Sequence, residues 1–152
     1  MPSMLDRLTD PDAGGGALSQ GYDVAQLTRA VLRDLEELLN TRMTAVDVPP
    51  ECKEVAASIV TFGLPDFSSV PAATTQQRAD IGRLLETIIM RHEPRLRDVK
   101  ATLVESTERT LNRAVRFLLA GRLRVDPAPE VAFDTILELT TGHAAVKSAG
   151  GE

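Results

Sequence analysis

At 152 residues the chain has the length of one domain, long enough to bury a substantial core. Apolar residues make up 43% but aromatics only 3%, with no Trp and one Tyr; the core must therefore rest on Leu, Val, Ile and Ala, and base-stacking platforms are scarce. A net charge of −5 also argues against a protein that coats DNA.

Residues 1–8 carry Asp6 and Arg7 and lack an apolar run, which reads as no signal peptide. Met4, Leu5 and Leu8 suit a helix fragment held on the domain or an anchor for a neighbour. Asp10-Pro11-Asp12 and Gly14-Gly15-Gly16 then favour a flexible linker. The expected division is an N-terminal segment and linker over 1–22 and one domain over 23–148.

The spacing of Leu27, Val31, Leu35, Leu38 and Leu39 predicts a helix over 24–40, with Asp23 as its N-cap and Arg29, Arg33, Glu36 and Glu37 outward. Asn40 and Arg42 are suited to capping its end or to touching a neighbour. A second helix is expected after Pro49-Pro50, including Val55, Ile59 and Phe62 and closed by Gly63; Gly63-Leu64-Pro65-Asp66 predicts a turn, followed by a loop to residue 74. Thr75 is read as the cap of a third helix over 76–91, with Ile81, Leu84, Leu85, Ile88 and Ile89 inward and Gly82 weakening it. Pro94 disfavours helical backbone at Glu93, so the helix must end there.

Beyond this joint the apolar period changes from 3.6 to 2. Val99, Ala101 and Leu103 alternate with polar neighbours. Val115, Phe117, Leu119, Leu123 and Val125 share one strand face, opposite Arg116, Arg122 and Arg124. Val131, Phe133, Leu137 and Leu139 repeat the pattern, and Thr141-Gly142 turns into a short last strand. The expected architecture is α+β: N-terminal helices followed by a small antiparallel sheet in a single domain. At Phe117-Leu118-Leu119-Ala120 both strand faces are apolar, which calls for a cover on the second face, from the chain's own helices or from a partner.

Chemistry is scarce. Cys52, His92 and His143 are the whole Cys and His inventory and are scattered, so no metal site and no disulfide are expected, and a reducing cytoplasmic setting fits. His92 reads as a polar or positive group in a last helical turn, and His143 as a turn residue. There is no nucleophile elbow and no phosphate-binding loop. Paired carboxylates alone could serve a glycosidase, but sugar clefts bring aromatic platforms that this chain lacks. No catalytic residue and no cofactor are assigned. No stretch approaches the roughly 18 apolar residues of a membrane span. Residues 95–124 carry eight Lys and Arg against three carboxylates, a net of +5, leaving −10 for the remainder. Such a stripe is either a solvated face or a surface that steers an acidic partner.

Three stretches together carry a resemblance. They are Val31-Leu32-Arg33-Asp34-Leu35-Glu36-Glu37-Leu38-Leu39-Asn40-Thr41-Arg42; Ser58-Ile59-Val60-Thr61-Phe62-Gly63-Leu64-Pro65-Asp66; and Glu93-Pro94-Arg95-Leu96, followed by Phe133-Asp134-Thr135 and Thr141-Gly142. In this order the chain resembles the TssE family of type VI secretion baseplate subunits and, more distantly, phage-tail baseplate wedge proteins sometimes labelled lysozyme-like. The resemblance spans nearly the whole chain. It implies a cytoplasmic, non-enzymatic subunit in a hetero-oligomeric assembly with TssF and TssG. Such a subunit starts polymerisation of the TssB/TssC contractile sheath by strand addition, with no nucleic-acid partner and no membrane insertion. The alternatives are a peptidoglycan-cleaving lysozyme-like enzyme and a regulatory binder on the same fold.

Under the resemblance, Glu93, Pro94, Arg95 and Leu96 form a family motif in full. With Arg116, Arg122 and Arg124 of the basic stripe, they are the expected partner-binding residues. Glu93 and Arg95 would pair within the fold or across an interface. Replacing either by Ala is expected to leave the domain folded while preventing sheath nucleation.

Overall fold

The computed structural model describes residues 23–44, 48–49, 51–56, 58–67, 74–104 and 114–149. The segment 1–22, Pro50, most of the loop after Asp66, and Arg109 and Arg113 of the basic stripe lie outside the described residues.

Helix α1 spans Val24–Asn40 and buries Leu27, Val31, Leu35, Leu38 and Leu39 as their spacing requires. At its start the Asp23 N–H donates to Gln26 Oε1 at 3.0 Å. The expected second helix is instead broken. A single turn, α2 (Lys53–Ala56), is followed by a 3₁₀ turn over Ile59–Thr61. Ser58 makes the break: its backbone is extended, and its hydroxyl donates to Val55 O at 2.7 Å and accepts from Val60 N at 3.3 Å. Val55 and Ile59 are therefore exposed, Ile59 at 87%. Helix α3 spans Thr75–His92 and is capped by Thr74, one residue before the expected cap. Thr74 Oγ1 accepts from Gln77 N at 3.2 Å, while Gln77 Oε1 accepts from Thr74 N at 3.0 Å. Ile81, Leu85, Ile88 and Ile89 face inward, but Leu84 is exposed.

The sheet is an antiparallel meander in the order β1-β2-β3-β4, over Leu96–Val104, Ala114–Leu123, Glu130–Glu138 and Ala144–Ser148. A bulge in β1 interrupts the simple alternation. Asp98 has φ 56, and the register shifts between Arg97 and Lys100, so Leu96 and Val99 both point to the core. Val125 and Leu139 fall just past the ends of β2 and β3 but still pack on the core.

One face of the sheet meets the helices. Val115, Phe117, Leu119, Leu123, Phe133 and Leu137 join Val31, Leu35, Leu38, Leu85 and Ile89 in one cluster. Each such side chain contributes about 1.5–3 kcal/mol on burial. Gly82 lets α3 approach closely, because a Cβ there would sit 3.1 Å from the Phe117 ring. The opposite face carries Leu118, half-buried, and Ala120, exposed. Helices α1 and α3 both pack on the inner face. The expected cover of this second face by the chain's own helices is not met among the described residues, because α1 and α3 spend their apolar stripes on the same side.

Candidate functional site

The joint between α3 and β1 is a knot of ion pairs. Helix α3 ends as Pro94 dictates, with the Glu93 N–H donating to Ile89 O at 2.8 Å and the Leu96 N–H to Glu93 O at 3.1 Å. The Glu93 carboxylate folds back over its own turn. It accepts from the Arg95 N–H at 3.1 Å and from Arg95 Nε at 2.7 Å, and Arg95 Nη2 reaches Glu93 Oε2. The same Nη2 donates to Asp34 of α1. Glu93, Arg95 and Asp34 have side-chain exposures of 5%, 19% and 25%, and Leu96 is buried in the core. The Glu93 carboxylate, aided by Asp34, drives the Arg95 guanidinium pKa upward against the opposing effect of burial. Glu93 and Arg95 thus face each other within the fold. One guanidinium nitrogen, Arg95 Nη1, is buried without a hydrogen-bond partner among the described residues. Removing either partner would strand a buried charge, so an alanine at 93 or 95 would not be a neutral change to the fold.

The basic stripe is divided by its partners. On the outer face Arg116 pairs bidentately with Asp134 of the neighbouring strand, Nε to Oδ1 at 2.8 Å, and Arg122 Nη2 lies 2.7 Å from Glu130 Oε1. Arg116 holds the Asp134 carboxyl below its ordinary pKa. Arg124 is exposed and its side chain has no ion pair among the described residues, while its N–H donates to Arg95 O at 2.8 Å. Of the seven sequence-predicted site residues, the corner brings Glu93, Pro94, Arg95 and Leu96 together, with Arg124 next to them through its backbone. Arg116 and Arg122 stand apart on the open sheet face.

The two sheet edges differ. On β1 the outward N–H of Ala101 donates to the Glu86 carboxylate of α3 at 2.8 Å, so the helix occupies that edge. On β4 the register turns Ala144, Val146 and Ser148 away from β3. Asn40, which also caps its own helix through Glu36 O, takes the Ala144 pair: Ala144 N to Asn40 Oδ1 at 3.0 Å, and Asn40 Nδ2 to Ala144 O at 2.8 Å. The outward backbone groups of Val146 and Ser148 have no partner among the described residues. Arg42 reaches Thr141 O and seats the turn before β4, where Gly142 has φ +66.

His92 is a polar packing residue. Its Nε2 lies 3.0 Å from Thr61 O, its ring stands edge-on to Phe62 at 5.5 Å, and burial lowers its pKa. His143 sits in the exposed turn before β4, its N–H donating to Thr141 Oγ1 at 3.1 Å. Among the described residues no group of three or more His, Cys, Asp and Glu is placed to hold a metal ion. No helix among the described residues is long and apolar enough to cross a membrane. The indentation lined by Leu35, Ile89, Leu96, Val99 and Phe133 has no room for a water molecule.

Sequence reasoning missed Asp34 and Glu86 as structural partners. Asp34 carried a usable signal: it lies three residues after Val31 and four before Leu38, at the margin of a buried stripe where a carboxylate needs a cation. Glu86, adjacent to Leu85 and three before Ile89, has a weaker version of it.

A model of the family described as baseplate wedge protein gp25 matches residues 25–128, which run from α1 through β2. No curated protein and no solved structure gives a significant match to the chain.

Proposed function

The chain belongs to the baseplate wedge protein gp25 family, and from that premise we propose that it is a non-enzymatic structural subunit of a type VI secretion baseplate. In this reading it sits in the cytoplasm within the wedge, beside TssF and TssG, and offers the TssB/TssC sheath a template on which to begin. The observation that carries the reading is the open β4 edge. Val146 and Ser148 present backbone donors and acceptors outward, and such an edge binds an incoming strand through main-chain hydrogen bonds. The β1 edge is the poorer template, because Glu86 already holds the Ala101 N–H. The corner at Glu93-Pro94-Arg95-Leu96 would fix the angle between helices and sheet, since Arg95 ties the turn after α3 to Asp34 of α1.

Ser148→Pro tests this directly. It removes an outward N–H without touching the β3 ladder, and Pro is tolerated on strand edges. The variant should fold and co-purify with TssF and TssG, yet fail to support sheath assembly in cells with labelled TssB. Absence of co-purification by the wild-type chain, or normal sheaths in the variant, would overturn the reading. Zymography covers the enzymatic alternative: lysis by the purified chain that Glu93→Gln abolishes would refute a purely structural role.

A further inference from the structure

Neither the corner nor the β4 edge uses Glu86, a carboxylate of α3 whose side chain is only 18% exposed. Its ion pair is loose: Lys100 Nζ lies 3.9 Å from Oε2, and Lys100 itself is 77% exposed. The closer contact is with backbone, where the Ala101 N–H donates to Oε1 at 2.8 Å. A carboxylate withdrawn from water needs donors in exchange, and here that donor is an amide on the rim of the sheet.

Antiparallel pairing alternates between bonded and non-bonded pairs. With its N–H turned to Glu86, Ala101 presents its backbone away from β2, and Leu103 does the same; Lys100, Thr102 and Val104 face β2. Such a row of outward groups is a ready site for another strand. Gly82 brings α3 down onto this strand, because a Cβ there would lie 3.6 Å from both Cβ and O of Ala101. Glu86 follows four residues later on the same helix face and reaches over the rim. The register shift between Arg97 and Lys100, with Asp98 at φ 56, kinks the start of the same strand. Bulges and inward-pointing charges are two ways in which sheets blunt an edge, and β1 carries both. Along β4 the register runs without a shift, and Val146 and Ser148 keep their outward groups unpartnered among the described residues.

We propose that Glu86 is a guard residue that closes the β1 edge to strand addition and leaves the sheet with β4 as its receptive edge. The excluded partner is a β-strand, in the first place the β1 edge of a second copy of this chain, which would otherwise pair with it antiparallel. The closure does not depend on the sheath role. Its consequence, a template that accepts strands from one side only, rests on that reading.

The test uses the full-length chain carrying Ser148→Pro, so that association through β4 does not intrude. In that background Glu86→Ala should double the mass found by sedimentation at concentrations where the parent is monomeric. Glu86→Gln keeps an oxygen acceptor at the same reach and should stay monomeric. Adding Ala101→Pro to Glu86→Ala removes the freed donor at an edge position that tolerates proline, and should restore the monomer. A monomeric Glu86→Ala chain would overturn the proposal. So would dimers of Glu86→Gln equal to those of Glu86→Ala, or dimers that persist with Ala101→Pro. If Glu86→Ala does not fold, Glu86→Met replaces it, since Met keeps a long stem and helix propensity without an oxygen acceptor. Hydrogen exchange in the unsubstituted chain is a second measurement. The Ala101 amide should exchange at least tenfold more slowly than the outward amide of Leu103, and equal rates would overturn the proposal. No sheath or wedge protein enters these measurements. A monomeric Glu86→Ala chain therefore leaves the sheath role standing, and normal sheaths in cells with Ser148→Pro leave the guard standing.

Discussion

Asn40 and Ala144, 104 positions apart, exchange two hydrogen bonds that tie the end of the first helix to the first residue of the last strand. Ala144 is fully buried, so the carboxamide stands in for the strand neighbour that β4 lacks there. Asn40→Ala would leave a buried N–H and C=O without partners and also free Glu36 O. The expected loss is about 2–3 kcal/mol, read as a lower urea midpoint at unchanged m value. Hydrogen exchange should speed up first in β4, before the amides of β2 and β3.

At the corner, Arg95→Ala would leave the Glu93 carboxylate, 5% exposed, with no ion-pair partner among the described residues. Breaking a buried pair in this way costs about 3–5 kcal/mol, whereas replacing both members by apolar residues is often close to neutral. A Glu93→Leu, Arg95→Met double variant should therefore be more stable than Arg95→Ala, with Asp34 still served by Arg33 at 2.9 Å. Denaturation of the two variants side by side checks this. A double variant that unfolds as easily as Arg95→Ala would show that the pair's geometry, and not its charge balance, sets the corner.

What the sequence revealed and what it concealed follow from the range of the interactions. Helices α1 and α3 and the strand faces were legible because Leu35, Ile89 or Phe117 repeat at the period of their element. The same holds for the end of α3, since Pro94 acts on its own neighbour. The second helix was misread because Val55, Ile59 and Phe62 keep helical spacing while Ser58 diverts the backbone between them, a contest that periodicity does not register. The bulge at Asp98 was hidden for the same reason: one left-handed residue moves Val99 onto the face of Leu96. At the candidate site the motif Glu93-Pro94-Arg95-Leu96 was visible, but its third member, Asp34, lies 61 positions away from Arg95. Pairings over such distances depend on tertiary packing, which no local pattern encodes.

His92 gives the fold a calculable response to acid. Burial is the chief cause of its lowered pKa; the contact with Thr61 O opposes the shift and the neighbouring Arg91 adds to it. The unfolded chain thus binds a proton near pH 6.5 that the folded chain still refuses. Stability from this group is full above that pH and is lost as pH falls through the unfolded value toward the folded one. Thermal melts from pH 8 to pH 5 should show the decline, and His92→Gln, which keeps a polar end group near Thr61, should flatten it. An equal decline in the variant would assign the effect to other groups.

Gly63 is the residue on which the link between the first helix and the rest of the chain turns. Its φ of +109 is open to glycine and strained for other residues, and it sets Leu64 beside Arg42 in a parallel bridge. Leu64 N then donates to Thr41 O at 2.8 Å, and Met43 N to Leu64 O at 2.9 Å. A Cβ at position 63 would lie 2.5 Å from that same Thr41 oxygen, which is backbone and cannot swing aside. Gly63→Ala should cost about 1–3 kcal/mol in backbone strain alone, and the clash should break the bridge and withdraw Leu64 from the core. Gly142→Ala is the informative comparison. It also has positive φ, but its Cβ would meet the Arg42 guanidinium, the free end of a flexible side chain. Calorimetry should therefore rank Gly63→Ala well below Gly142→Ala in melting temperature. The reverse order would mean that Arg42 over the β3–β4 turn, and not the Thr41–Leu64 bridge, holds the helix to the sheet.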